Sequence, residues 1–264
     1  MASRKEQKEA VRQRRLEEER TRAEAARRRQ RLRMTGGIAL AVVAVLAVVI
    51  AISSGGGATA TGLKQGAKAT TLVSQVSTLL NGIPQSGATL GNPTAPVTMT
   101  YYGDLQCPVC RDFTVSGGFP QLVAGEVRQG KVRVVYRSFQ TATPDPSTFQ
   151  TQQVAALAAG KQNHFWDFTE LFYHQQGQEQ TSYVTDAYLS GLAGQIPGLN
   201  VPAWKGARGD PTLAAQVTSD GITGKASKVQ GTPTLIFKGP KGTATAPQGV
   251  PTYSDLQSAI KQVA

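Results

Sequence analysis

The chain is poor in the residues that most often carry chemistry, with two cysteines and two histidines in 264 residues. Two cysteines cannot make the framework of bridges that staples a small secreted fold. The histidines do not complete a metal site either, because zinc usually takes four ligands. Cys107 and Cys110 have the spacing of half such a set, but His164 and His174 lie ten residues apart on aromatic segments with a helical pattern. That spacing is wrong for a paired ligand arm, and both read as surface or interhelical histidines. Also missing is a basic face. The net charge of +11 is concentrated in residues 1–33, which hold 13 Lys/Arg against 6 Glu, and only +4 remains for the other 231 residues. A nucleic-acid-binding fold would spread such an excess over a folded surface beside a reading motif. None is present, so nucleic acid is excluded as the expected partner, and no internal repeat is evident.

What the chain does have, directly after the basic run, is a long apolar segment. Ile38 to Ile52 is unbroken apolar sequence, and no charge falls between Met34 and Ile52. Nineteen residues at roughly 1.5 Å each reach about 28 Å, close to the thickness of a bilayer core. The segment reads as one transmembrane helix, 34–52, or as a long signal peptide. An Ala-x-Ala at Ala58 to Ala60 favours cleavage. The 33-residue charged leader and the length of the run favour an uncleaved anchor. Arg27, Arg28, Arg29, Arg31 and Arg33 crowd the N-terminal flank, whereas the first charge on the other side is Lys64. The expected topology is therefore single-pass in the cell membrane, with a basic cytoplasmic tail at 1–33, a flexible linker at 53–69 and an extracytoplasmic domain from 70 to 264. Thiols placed there can be oxidised and stay so.

Within that domain the pattern reads as α/β. Leu72, Val73, Val76, Leu79, Leu80 and Ile83 recur at helical spacing from about Thr70, and Pro84 ends the segment. Val97 to Tyr102 reads as a strand leading to the cysteines. A helix then follows, broken at Gly117 and Gly118, resumed through Leu122, Val123 and Val127, and stopped at Gly130. "KVRVVYRSF" is a second strand, about 148–229 is a helical block, and "TPTLIFK" and "TATAP" are late strands. "TYSDLQSAIKQVA" is a closing helix with a capping box at Thr252 and Asp255. The aromatic group Phe165, Trp166, Phe168 and Phe172 could line a groove, but at helical spacing it reads as core.

Three readings of the two thiols compete. A metal lacks ligands. A structural bridge across two residues would constrain almost nothing, since the stabilisation expected from chain entropy grows with loop length. A redox pair needs a thiolate that attacks, a second thiol to resolve, and a field that favours the anion. If Cys107 lies where the strand turns into the helix, the helix N-terminus supplies that field. Pro108 suits the first helical turn, and Cys110 returns to the same face one turn later.

The stretches "LGNPTAPVTMTYYGDLQCPVC", "GKVRVVYRSF" and "VQGTPTLIF", with the helical insertion, resemble the DsbA-like branch of the thioredoxin superfamily, in its membrane-anchored bacterial form. The resemblance covers about residues 70–264. It implies a thioredoxin-like fold in which Cys107 is the exposed nucleophile, Cys110 its buried partner and Pro233 the cis-proline facing them. It assigns substrate binding to Thr232, whose backbone would pair with an extended chain, and to Pro108 and Val109. It also implies a redox centre made of the cysteines alone, with no cofactor. The expected function is introduction of disulfides into exported proteins with free thiols, followed by reoxidation through a membrane quinone-linked partner. A reductase or isomerase is the alternative, and a non-catalytic binding or holdase module a further one. The sequence departs from the family twice. Val109 stands where strong oxidants often carry histidine, which argues for a milder oxidant. Tyr101 replaces an acidic residue that some members carry six positions before the first cysteine, leaving nearby Asp104 as the candidate for proton transfer.

Overall fold

A computed structural model describes residues 62–264. The anchor segment 34–52 and most of the linker lie outside the described residues, among which no helix is long and apolar enough to cross a membrane. The first helix, α1 (Gly66–Leu80), begins four residues before the apolar rhythm does. The reason is an anchor just ahead of it. Leu63 is buried, the Lys64 amide donates to Gln175 Oε1, and Lys64 Nζ donates to the His174 carbonyl.

Six strands make one sheet. In chain order they are β1 (Gln85–Ser86), β2 (Thr89–Leu90), β3 (Val97–Gly103), β4 (Val132–Ser138), β5 (Thr234–Gly239) and β6 (Gly242–Thr245). They lie in the order β1-β2-β4-β3-β5-β6, with β3 and β4 parallel and every other pairing antiparallel. The parallel crossover is made by α2 (Pro108–Val115), α3 (Phe119–Leu122) and a widened turn at Val123–Val127 that carries an i→i+5 bond from the Arg128 amide to the Val123 carbonyl. Gly117 and Gly118 occupy the break between the two helices, where a Cβ at either would come within 3 Å of backbone. Gly130, at φ 71°, turns the chain into β4.

Successive strand residues face opposite sides of a sheet, and β3 shows what each side carries. Tyr101 enters the main core, where its ring meets Phe113 and Tyr136 at 5.4 and 5.3 Å. Tyr102 points the other way and joins Phe139, Val229 and Ile236 in a smaller cluster. The helical insertion runs through α4 (Pro146–Gly160), α5 (Phe165–His174), α6 (Asp186–Gly194), α7 (Val201–Ala207) and α8 (Pro211–Ala226). Phe165, Trp166, Phe168 and Phe172 are fully buried, and Trp166 stacks on Phe119 at 5.3 Å, so they are core as expected. α8 covers the Tyr102 cluster: a Cβ on Gly224 would sit 2.4 Å from the Phe139 ring, and Asp220 receives Arg137 Nη1 at 2.7 Å and the Ser138 amide at 3.0 Å. The closing helix, α9 (Tyr253–Val263), starts on the reciprocal Thr252–Asp255 capping box. His164 and His174 flank α5 half-buried, and no group of metal-ligating residues exists among the described residues.

One core residue works against the fold. Glu170 is 1 % exposed and neither carboxylate oxygen has a hydrogen-bond partner among the described residues. Burial first, then the charge of Asp167, pushes its pKa well up, so the group is buried as the neutral acid. A native state that holds a proton the unfolded chain has released loses stability as pH rises above the unfolded pKa of about 4.3. Glu170→Leu is therefore expected to stabilise the domain by about 1–3 kcal/mol at neutral pH. Denaturant midpoints should show a gain that grows from pH 4 upward and then levels off.

Candidate active site

The strand-to-helix junction after β3 places the two thiols. Cys107 is the N-cap of α2, with extended backbone at φ −71° and ψ 118°, and Pro108 occupies the first helical turn. The amide of Cys110 donates to Cys107 Sγ at 3.4 Å. The Cys107 thiol in turn donates to the Thr232 carbonyl at 3.3 Å. Both cysteines are reduced. The Thr232–Pro233 peptide is cis, and the loop before β5 holds the Thr232 carbonyl against the sulfur.

The two thiols differ in the way an attacking and a resolving group must. The pKa of Cys107 is lowered to about 7, chiefly by its hydrogen bond with the Cys110 thiol. Burial opposes this, while Thr232 and the amides of Cys110 and Val109 add to it. The pKa of Cys110 goes well up, first through burial and then through its bond to, and the charge of, Cys107. One expectation needs correcting: Cys107 is only 4 % exposed, against 0 % for Cys110. Thr232 closes one side of the sulfur. Beneath it, Gln176 from the insertion donates Nε2 to the carbonyls of Leu105 at 2.8 Å and Cys107 at 3.1 Å, pinning the junction. The partly exposed Pro108 and Val109 form the surface beside the thiol, where the sequence reading puts substrate contact.

Asp104 also departs from its expected part. Its carboxylate is fully buried and takes six donors. Oδ2 accepts the amides of Thr141, Ala142 and Thr143 at 2.9–3.0 Å, and Oδ1 accepts the Gln106 amide, the Thr143 hydroxyl and Gln152 Nε2. A carboxylate so engaged is a clamp on the segment after β4, with no oxygen left over to carry a proton to or from Cys110. The clamp reaches the thiols indirectly, because the hydroxyls of Thr141 and Thr232 share a hydrogen bond. Tyr101 lies behind the pair, its hydroxyl 3.0 Å from Thr114 Oγ1 and 3.4 Å from the Cys110 carbonyl. Burial raises its pKa well above 10, so it is a neutral donor and no base. Gln176, Thr141, Thr143 and Gln152 carry no motif, and only the fold shows that they support the site.

Known proteins share this chain's sequence pattern and fold. The family model described as thioredoxin matches residues 85–262. The probable disulfide bond formation protein D of Bacillus cereus is 27 % identical over 151 residues, covering 57 % of this chain and 69 % of that protein. The disulfide bond formation protein D of Bacillus subtilis is 28 % identical, covering 55 % and 65 %. Among solved structures, oxidised BdbD from Bacillus subtilis superposes with a TM-score of 0.58 at 22 % identity, covering 69 % of this chain and 98 % of its own. Wolbachia pipientis alpha-DsbA1 gives 0.55 at 17 %, covering 70 % and 92 %.

Proposed function

The chain belongs to the thioredoxin family, and we propose that it is a DsbA-like protein-disulfide oxidoreductase that works through Cys107 and Cys110. The observation that carries this reading is the N-cap position of Cys107, with the Thr232 carbonyl 3.3 Å from its sulfur. The relatives named for disulfide bond formation support it. In the oxidised enzyme a substrate thiolate attacks Cys107 Sγ, the bond to Cys110 breaks, and Cys110 leaves with the electron pair and takes up a proton. A second substrate thiolate then attacks the substrate sulfur of the mixed disulfide. Cys107 departs as the thiolate, and the substrate has lost two electrons to the enzyme. A leaving thiol of pKa about 7 speeds that second step.

In this reading an anchor at 34–52 holds the domain outside the cytoplasm, exported proteins with free thiols are its substrates, and a membrane quinone-linked partner reoxidises it. The basic flank of the apolar run supports the placement. One observation favours a second reading. A Cys107 pKa of about 7 is nearer the thioredoxin value than the far lower one of the strongest oxidants, which suits a reductase. Equilibration with glutathione separates the two: a potential clearly above about −270 mV supports the oxidase, and one at or below it the reductase.

Cys110→Ser tests the chemistry itself. Without the resolving thiol, mixed disulfides through Cys107 should accumulate on exported proteins and be released by reductant. If that variant captures no more protein than Cys107→Ser does, thiol-disulfide exchange is not the function.

A further inference from the structure

The Thr232 carbonyl lies outside the sheet ladder, because the pairing of β3 with β5 stops at Tyr102 and Thr234, short of it. Among the described residues its one donor is the Cys107 thiol, at 3.3 Å. Thr232 is only partly buried, so this oxygen is a main-chain acceptor that a second chain can reach. The loop around it is tied down on both sides. The Thr232 hydroxyl shares a hydrogen bond with that of Thr141, whose amide is held by Asp104, and the Thr234 hydroxyl donates to the Gly231 carbonyl at 2.7 Å. The carbonyl is thereby held toward the reacting sulfur.

A polypeptide undergoing exchange must bring its own sulfur to Cys107, which lays its backbone beside this carbonyl. An N–H of that backbone and the S–H of Cys107 then compete for the same oxygen. The S–H exists only in the reduced enzyme. Forming the Cys107–Cys110 bond removes two electrons and both thiol protons, which takes that donor from the carbonyl and leaves an acceptor that is costly to keep unpaired. Resting on the oxidoreductase reading, we infer that the Thr232 carbonyl is a redox-gated acceptor, open to a substrate N–H when the cysteines are bonded to each other and occupied by the Cys107 thiol once they are reduced. The gate acts at the end of turnover. Cys107 departs from the mixed disulfide as the thiolate, takes a proton from solvent, and its S–H reclaims the carbonyl from the product. Oxidised enzyme thus holds chains that still carry thiols, and reduced enzyme lets the oxidised product go. An S–H is a weak donor, so the gate biases binding and does not abolish it.

The test measures binding without chemistry. The probe is reduced lysozyme with its thiols methylated and a fluorophore attached, titrated with the full-length protein in detergent and followed by anisotropy. A pH of about 6, below the Cys107 value of about 7, keeps the proton on the reduced sulfur. Oxidised protein should bind the probe about threefold more tightly than reduced protein, the worth of one weak hydrogen bond. Two variants assign the difference to the S–H. Cys107→Ser keeps an O–H donor for the carbonyl and should bind as the reduced protein does, or more weakly. Cys107→Ala removes the donor and should bind as the oxidised protein does. Equal affinity of the two native forms would overturn the inference, and that comparison needs no substitution. So would Cys107→Ser binding as tightly as Cys107→Ala, or oxidised protein that binds no probe at all. Each of these results leaves the oxidoreductase reading intact, because exchange needs only the sulfurs. A protein that binds the probe but oxidises no dithiol would sink that reading and this inference with it.

Discussion

Cys107→Ser is expected to lower dithiol oxidation by about a hundredfold or more, to the rate of uncatalysed exchange, while the fold is kept. The loss follows from the element: a hydroxyl oxygen cannot form the mixed disulfide, and Cys110 alone is fully buried with a pKa pushed well up. Serine, however, is among the best N-cap residues. It can accept the Cys110 amide where the sulfur does now, and donate to the Thr232 carbonyl. The variant should therefore unfold at a denaturant concentration close to that of the reduced native protein. Activity lost together with stability would mean that the sulfur holds the junction up rather than reacting there. Dithiol oxidation kept would end the claim that Cys107 is the nucleophile.

Asp104→Ala should produce the largest loss of stability, about 3–5 kcal/mol. Removing the carboxylate leaves the buried Thr143 amide without its acceptor, takes one of two acceptors from the Gln152 Nε2 group, and frees the amides of Thr141 and Ala142. Against a typical domain stability of about 5–15 kcal/mol this is a large fraction. Asp104→Asn should lose less than alanine, because one oxygen remains to accept. Its amide nitrogen would nevertheless face N–H donors, so it should not match the native protein. The same variants should reach the active site by way of Thr141 and Thr232, raising the Cys107 pKa above about 7. Denaturant midpoints with thiol titration check both effects. A full-strength fold in Asp104→Ala would contradict the clamp, and unchanged stability with slow resolution of mixed disulfides would restore the proton-transfer role.

The sequence was most legible where local chemistry and tertiary packing agree. Thr252 and Asp255 form their box because both partners lie within one turn. Gly130 has the positive φ that its position as a stop requires. The Cys-Pro-Val-Cys stretch follows a strand pattern and carries Pro at its second position, and the strand-to-helix junction that the redox reading requires at Cys107 is the one the structure has. The helical block reads as helical, but its packing is hidden where burial is achieved by residues that are not apolar. α8 buries Leu213, Val217, Asp220 and Gly224 at helical spacing, but two of these four break the apolar rhythm. One is an acid that holds Arg137 and the other a gap that admits Phe139. The β1–β2 hairpin has two-residue strands, too short for any alternation to register. Asp104 looked like a free acid near a thiol, because its six donors come from positions up to 48 residues away, where no local pattern connects them.

The most direct test is the pH titration of the reduced protein, following thiolate absorbance together with the rate of alkylation by iodoacetamide. A single reactive midpoint near about 7 is expected, which disappears in Cys107→Ser and moves upward when Thr232 is displaced. A midpoint at about 8.5 or above, the value of an unassisted thiol, would mean that the helix end and the Thr232 loop do not activate this sulfur.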